Sequence, residues 1–198
     1  YYVLLRPEAG LPRATLLAAA QETASVSGAR PVATGEVALF GPDGRTLRIP
    51  AASLRRVEPG QQPSRTQIVA YARALLADQP TRYVWGGTAD RALDCSGFNQ
   101  TVFRLAGIAL PRDSYQQQAA SRPVAAKIDD WKQLQPGDLV FFSENGRRAT
   151  HTGIYIGEGR YIHSSRGNDG IALNDLNGTS DYERKLRGLW WGGGRVLP

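Results

Sequence analysis

Cys95 is the only cysteine in this chain of 198 residues. A single cysteine cannot form an intramolecular disulfide, so the fold must be held together by an apolar core. Hydrophobic residues make up 41% of the chain and charged residues 21%, the composition of an ordinary globular protein. One cysteine and two histidines are also too few for a structural zinc site, which usually takes four such ligands. We therefore expect no metal site and no cofactor.

The composition excludes a membrane span and gives little support to a nucleic-acid role. No run of about 18 apolar residues is present, so no segment is expected to cross a membrane. The net charge of +6 and the pI near 9.8 favour anionic partners in general. The basic residues are scattered and no nucleic-acid motif occurs, so no nucleic-acid partner is expected. The chain has no Met and no visible signal peptide, which predicts a mature form with its original start removed.

The chain is predicted to contain two domains, residues 1–60 and 61–198, joined by a Pro- and Gly-containing linker. In the first domain, two β-prone runs at 32–40 and 46–49 flank a turn at 41–44, which predicts a hairpin. A single helical turn is expected after Pro50. The Ala- and Leu-rich stretch at 11–22 is interpreted as a helix.

The second domain shows helical patterns first and strand patterns later. Ser64 and Gln67 form a capping box before an apolar stripe of helical spacing. Asp94 is placed to cap a second helix, which starts at Cys95 and stops at Gly107. Strands are predicted later in the domain, at residues 139–142, 151–156 and 160–164, with weaker candidates at 171–173 and 187–191. This order favours an α+β fold.

The position of Cys95 at a helix start gives its thiol a chemical interpretation. Unpaired N–H groups and the positive end of the helix dipole stabilise an anion, so we expect a lowered thiol pKa and a reactive thiolate. The alternative is a small, inert core residue. Position alone does not decide between the two.

Both histidines of the chain fall on one predicted hairpin. If residues 157–159 form a three-residue loop, Ile156 faces Arg160 and His163 faces Gly153. His151 lies two residues from Gly153, so both imidazoles project from the same face, within about 7–8 Å of each other. One imidazole can then act as a base towards Cys95 while the other orients it.

Five blocks of sequence between residues 64 and 173 together resemble the NlpC-type cell-wall peptidases. They are YVWGG with LDCSGF (83–87 and 93–98), LPRDS with Gln117 (110–114), LQPGDLVFF (134–142), HTGIYIG (151–157) and YIHSS (161–165). Five separate blocks in one order make the likeness highly specific. Thr152 departs from the family pattern, in which Val is common, and we expect the change to do little harm.

The resemblance implies a papain-like catalytic domain that hydrolyses the bond between γ-D-glutamate and the following diamino acid of a peptidoglycan stem peptide. It assigns Cys95 as nucleophile, His151 as general base and acid, and His163 as the orienting third residue. The Tyr83 hydroxyl and the Cys95 N–H would stabilise the oxyanion. Asp94 and Ser96 match substrate-binding positions, although for Asp94 a plain helix cap is an equal alternative. Trp85 is expected in the core.

Residues 1–60 resemble, more weakly, the small SH3-like β-barrel modules that precede this catalytic domain in relatives, although the barrel is expected to be incomplete or decorated. In relatives such a module can border the cleft and restrict it to short peptides. Two other functions stay open: an amide or acyl transferase on the same fold, and a non-catalytic peptidoglycan-binding protein. A monomer in the cell envelope or secreted is expected, with a cytoplasmic recycling enzyme as the alternative.

Overall fold

The structure, a computed structural model, describes residues 2–5, 13, 16–19, 35–40, 45–57, 63–78, 80–89 and 91–198. The chain divides into two compact units, Tyr1–Gln62 and Pro63–Pro198. Most of the predicted linker, residues 58–62, lies outside the described residues, as does the predicted turn at 41–44. Within the described residues, no helix is both long and apolar enough to cross a membrane.

The described residues of the first unit form an antiparallel sheet of five strands in the order β4-β3-β2-β1-β5. Leu4, Leu39 and Ile49 form its buried core. A short 3-10 helix, Ala51–Ser53, follows Pro50 as the sequence predicted. The strands are β1 (Tyr2–Leu4), β2 (Leu16–Ala19), β3 (Glu36–Phe40), β4 (Thr46–Pro50) and β5 (Leu54–Arg56).

One prediction for the first unit is confirmed and another is wrong. The hairpin is present, since β3 and β4 pair from Glu36 opposite Pro50 to Phe40 opposite Thr46. The helix predicted over residues 11–22 is contradicted, because Leu16–Ala19 is β2 and lies between β1 and β3. Alanine favours helix, but helix propensity is worth less than about 1 kcal/mol per residue, and pairing on both sides of a strand overrides it.

The second unit has a central antiparallel sheet of six strands in the order β13-β12-β11-β10-β14-β9. A separate small sheet has the order β6-β8-β7. The strands in chain order are β6 (Arg82–Tyr83), β7 (Thr88–Ala89), β8 (Ala92–Leu93), β9 (Arg122–Ala125), β10 (Leu139–Phe142), β11 (His151–Gly157), β12 (Arg160–Ser165), β13 (Gly170–Asp175) and β14 (Trp190–Arg195).

Four helices accompany the central sheet: α1 (Arg65–Ala77), α2 (Cys95–Leu105), α3 (Ser114–Ala119) and α4 (Asp181–Gly188). The predicted capping box of α1 is present, with Ser64 Oγ accepting from Gln67 N–H. All but one residue of α2 are buried, and this helix contacts β11 and β12. Helices packed on a central antiparallel sheet confirm the predicted α+β class for this unit.

The end of the chain differs from its prediction. Residues 187–191 were a weak strand candidate, but the structure has α4 up to Gly188 and β14 from Trp190. The sequence did carry a helix signal here, because Ser180 and Glu183 form a capping box. Glycine has low strand propensity, so the sequence pattern does not indicate the strand, yet the packing at Gly194 is tight: a Cβ there would lie 2.9 Å from both Ser121 Cβ and Phe141 Cε2.

A fully buried carboxylate, Asp138, ties together distant parts of the second unit. Arg65 Nη1 at the start of α1 lies 2.9 Å from Asp138 Oδ1, and Arg195 Nη2 at the end of β14 lies 2.7 Å from Oδ2. The Gln135 N–H also donates to Oδ2. The two arginines and the N–H satisfy a charge that would otherwise be costly to bury. Asp138, within the block of residues 134–142, therefore has a structural role.

Candidate active site

Cys95 begins α2 and is only 5% exposed. Asp94 caps the helix, since its Oδ1 accepts from Gly97 N–H at 2.7 Å, while its Oδ2 accepts from Gly86 N–H at 3.0 Å. The helix start is thus fastened to the preceding loop. A Cβ at Gly97 would lie 2.1 Å from the Gly87 carbonyl oxygen, so only glycine permits this close approach.

The thiol pKa differs from the sequence expectation. Burial, with a smaller contribution from the Asp94 carboxylate, raises the pKa of Cys95 to about 11. Hydrogen bonds from the backbone N–H groups of Thr152, Ser96 and Cys95 act in the opposite direction and are outweighed. The expectation of a lowered pKa was therefore wrong: the resting group is a thiol that needs a base. The hydrogen bond from the Thr152 N–H brings the sulfur to β11, the strand that begins at His151.

The two imidazoles meet as the hairpin register predicted. His151 Nε2 lies 2.7 Å from His163 Nδ1, and the ring centroids are 4.9 Å apart. Ile154 faces Ile162 and Tyr155 faces Tyr161, which is the predicted pairing, but a bulge then brings Gly157 rather than Ile156 opposite Arg160. A Cβ at Gly153 would lie 2.9 Å from His163 Cβ, so glycine leaves the room that this pair requires.

Burial makes both imidazoles weak bases. It lowers the pKa of His151 well below its ordinary value of 6.5, and the neighbouring His163 lowers it further. Burial also lowers the pKa of His163 to about 4, against a smaller opposite effect of its hydrogen bond with Asn174. Both rings are therefore neutral at pH 7, and each can offer one donor and one acceptor nitrogen.

Two residues behind His163 were not predicted from the sequence. His163 Nε2 lies 2.8 Å from Asn174 Oδ1 on β13, and Asn174 Nδ2 donates to Glu183 Oε1 on α4 at 3.4 Å. An uninterrupted row of hydrogen-bonded side chains thus runs from His151 to Glu183. The Ser180–Glu183 capping box could have located α4, but no local pattern indicates that Asn174 faces His163.

Thr152 connects the strand of His151 with the helix of Cys95. Its buried Oγ1 accepts from Asn99 Nδ2 at 3.0 Å and donates to the Val140 carbonyl at 2.9 Å. Asn99 lies one turn after Cys95 in α2 and also donates to Gln117 Oε1. The Thr side chain at this family position is tolerated because both hydrogen-bonding capacities of its hydroxyl are used.

Asp94 is strongly engaged by Arg112, a residue within the LPRDS block that the sequence did not single out. Arg112 Nη2 lies 2.5 Å from Asp94 Oδ2, and its Nη1 donates to Asp94 Oδ1 and, at 2.8 Å, to Ser96 Oγ. Ser96 Oγ donates in turn to Asp94 Oδ1. Asp94 thus accepts five hydrogen bonds, which fills the roughly four acceptor positions of a carboxylate. These residues line a cavity of about 300 Å³ beside Cys95.

A second cavity of about 420 Å³ lies on the side of His151 and is also lined by Tyr83 and Trp85. Burial, with smaller contributions from Cys95 and Asp94, raises the pKa of Tyr83 to about 12, so its hydroxyl keeps the proton it can donate. Trp85 is 78% exposed and borders both cavities, so the expectation that it belongs to the core was wrong.

Comparison with known proteins identifies the family. The family model described as "NlpC/P60 family" matches residues 80–189. A γ-D-glutamyl-L-lysine dipeptidyl-peptidase of Bacillus subtilis is 35% identical over 132 residues, 66% of this chain and 42% of that protein. The protein of the same name from Bacillus cereus is 38% identical over 108 residues, 54% of this chain and 31% of that protein. This chain thus spans less than half the length of both.

A solved structure supports the same assignment. An NlpC/P60 family protein from Bacillus cereus superposes with a TM-score of 0.72 at 25% identity, covering 100% of this chain and 60% of that one. The family match extends over more than half of the chain and includes Cys95, His151 and His163. The chain therefore belongs to the NlpC/P60 family of peptidoglycan hydrolases and peptidases.

Proposed function

We propose that the protein is a cysteine peptidase that hydrolyses the amide bond between γ-D-glutamate and the following diamino acid in peptidoglycan stem peptides. The observation that carries the proposal is the 2.7 Å contact between His151 Nε2 on β11 and His163 Nδ1 on β12. Thr152, the residue after His151 on β11, hydrogen-bonds through its N–H to the Cys95 sulfur. The names of the two Bacillus relatives support the choice of bond. Cys95 is the nucleophile, His151 the base and His163 its orienting partner.

In the first half of the reaction the thiol proton passes to His151 as the sulfur attacks the amide carbon. His163 occupies Nε2 of His151, so Nδ1 is the nitrogen that receives the proton. The carbonyl oxygen becomes an oxyanion, and the protonated Tyr83 hydroxyl and the Cys95 N–H stabilise it. His151 then gives its proton to the leaving amine, and a thioester remains.

In the second half a water molecule attacks the thioester carbon while His151 accepts a proton from it. The second tetrahedral intermediate collapses, the carbon–sulfur bond breaks, and the proton returns to Cys95. The products are a free γ-carboxyl group and a diamino acid with a free amine. Since His151 must touch the leaving nitrogen, the diamino acid lies on the side of the 420 Å³ cavity, and the γ-D-glutamyl part on the side of Asp94.

The protein is expected to cleave L-Ala-γ-D-Glu-diaminopimelate into L-Ala-D-Glu and free diaminopimelate, identified by mass. The peptide L-Ala-α-D-Glu-diaminopimelate, with the ordinary α-linkage, is the matched control and should be cleaved much more slowly. An unchanged γ-linked peptide would contradict the proposal and favour a binding protein. A product ligated to an added amine would favour the transferase. Intact sacculi assayed in parallel show whether the polymer is also a substrate.

We propose that Asp94 and Ser96 act on the substrate through their shared partner Arg112. Asp94 already accepts five hydrogen bonds, so a substrate amine must displace a donor or approach as an additional one. Arg112 is about one-third exposed and borders the 300 Å³ cavity, where its guanidinium is suited to a substrate carboxylate. The α-carboxylate of the γ-linked D-glutamate is such a group.

The protein is expected to keep its hydrolytic activity in mildly acidic solution. The base form of His151 is required, and burial holds its pKa well below 6.5, so the imidazole stays unprotonated as the pH falls through 6. The acid limb of a kcat/KM profile, measured between pH 4 and 8, should therefore have its midpoint below pH 6. A midpoint at or above 6.5 would contradict the buried environment of this imidazole.

We further propose that the first unit is an SH3-like module and that the protein acts in the cell envelope or after secretion. The five-stranded antiparallel sheet of the first unit supports the first point. Peptidoglycan, the substrate of the family, supports the second. A cytoplasmic enzyme that recycles stem peptides is the alternative, and a preference for free peptide over sacculi in the assay above would favour it.

A further inference from the structure

The row of side chains from Glu183 through Asn174 to the two histidines determines which atom donates and which accepts in each of its hydrogen bonds. It begins at Glu183, whose carboxylate is surrounded by donors. Glu183 Oε1 accepts from Asp175 N–H at 3.0 Å, and Oε2 accepts from Ser180 Oγ at 2.6 Å and from Ser180 N–H at 3.3 Å. A carboxylate held in this way can only accept hydrogen bonds.

Asn174 transmits this restriction to the imidazoles. Because Glu183 Oε1 accepts, the group of Asn174 that faces it must be the amide NH₂, which leaves Oδ1 facing His163. An amide oxygen accepts, so His163 Nε2 must carry a proton. A neutral imidazole has one N–H, and His163 Nδ1 is therefore an acceptor. His151 Nε2 must then donate to it across 2.7 Å.

We propose that Glu183, acting through Asn174, is a positioning residue that fixes the tautomers of both histidines and thereby leaves Nδ1 of His151 free to accept the thiol proton. The inference rests on the proposed peptidase function of the same site. His163 is fully buried and Asn174 nearly so, hence water does not compete for the hydrogen bond between them, whereas the bond from Asn174 to Glu183 is only partly buried. The opposite tautomers would put a proton on Nδ1 of His151 and remove the base.

The arrangement differs from a triad in which a carboxylate contacts the base directly. Here the carboxylate is separated from His151 by two neutral groups, Asn174 and His163. It therefore sets the direction of the hydrogen bonds, while the burial that keeps both imidazoles neutral is preserved. When His151 is protonated during the reaction, His163 Nδ1 still accepts from it and no group has to rotate.

The tautomers can be observed directly because the chain has only two histidines. Histidine-selective ¹⁵N labelling of the full chain gives four ring nitrogens, and a His163→Gln variant assigns them to the two residues. At neutral pH both rings of the wild-type protein are expected to carry their proton on Nε2. A proton on Nδ1 of either ring would overturn the proposal. This reading needs no substrate, so it is independent of whether the peptidase assay succeeds.

Substitutions then test whether Glu183 is responsible. Glu183→Met keeps the side-chain length but cannot accept, and Asn174→Leu removes the link itself. Both are expected to shift the ring nitrogens towards a mixture of tautomers. They should also lower kcat by about 10- to 100-fold with little change in KM, by analogy with outer-sphere partners of metal-binding histidines. Glu183→Gln retains an oxygen acceptor and should recover most of the lost rate.

Ser180→Ala is the matched control. It removes the other half of the α4 capping box and so weakens the same helix end, while the backbone N–H groups of Ser180 and Asp175 and the Asn174 amide still donate to Glu183. It should lower stability yet leave the tautomers and kcat unchanged. If Ser180→Ala and Glu183→Met have the same effect on kcat, the role of Glu183 is structural and the proposal fails. Unchanged tautomers in both Glu183→Met and Asn174→Leu would also overturn it.

Discussion

Replacing Cys95 with alanine is expected to abolish hydrolysis of the γ-linked stem peptide, with a loss in kcat on the order of 10⁶-fold, as for nucleophiles of serine peptidase triads. The sulfur forms the only covalent bond between protein and substrate in the proposed reaction, and Cys95 is the only cysteine of the chain. No other thiol can replace it. The measurement is product formation by mass over hours, with wild-type protein diluted to define the detection limit.

Two control measurements on Cys95→Ala show whether the variant still folds and still binds the peptide. Alanine fits the space of the nearly buried Cys95 and favours the helix, so the unfolding transition should change little. The peptide should still bind, since Asp94, Ser96 and Arg112 are untouched. Full activity in Cys95→Ala would eliminate the cysteine peptidase, whereas loss of activity with loss of structure would require the milder Cys95→Ser to be measured.

Replacing Asp138 with asparagine is expected to lower the free energy of unfolding by about 3–5 kcal/mol, the usual cost of removing one partner of a buried ion pair. Asp138 is fully buried and both Arg65 and Arg195 depend on it. Asparagine preserves the shape but leaves the two guanidinium groups without their counter-charge. All four tryptophans lie in the second unit, so urea unfolding followed by their fluorescence reports on this unit alone.

The matched control for the Asp138 variant is Asp181→Asn. Asp181 is an exposed acid whose side chain pairs with Arg184 at the surface, and its replacement should change stability by no more than about 0.5 kcal/mol. A change below 1 kcal/mol in Asp138→Asn would mean that water reaches the cluster or that the arginines find other acceptors. The three residues would then not tie α1 and the end of β14 to the start of β10.

The imidazole pair could be predicted because its geometry is local. Two histidines on one short hairpin must share a face if the register is known, and the Gly-rich loop restricts the register to a few choices. The bulge at Gly157 changes the pairing next to the loop but not the relative position of the two imidazoles, because Ile154 and Ile162 pair as predicted. The helix start at Cys95 was equally local, because Asp94 is a strong capping residue.

The features that the sequence did not predict, or predicted wrongly, depend on contacts between distant segments. Asn174 meets His163 only because β13 pairs with β12, and no pattern within β13 distinguishes its facing residues. The thiol pKa follows from burial under β11, which a helix start alone does not reveal. The predictions of a helix at Leu16–Ala19 and of a core position for Trp85 were wrong for the same reason. Propensity and hydrophobicity are properties of a single residue, whereas its conformation and burial depend on the segments packed around it.

The hairpin that carries both histidines also has a consequence for how the site assembles during folding. His151 and His163 are 12 residues apart, so their contact is of low sequence separation and closes early and at small entropic cost. Cys95 is contributed by a much earlier segment, which must dock α2 before the thiol lies beside the base. Hydrolytic competence therefore requires both the local contact within the hairpin and the long-range packing of α2 against β11 and β12.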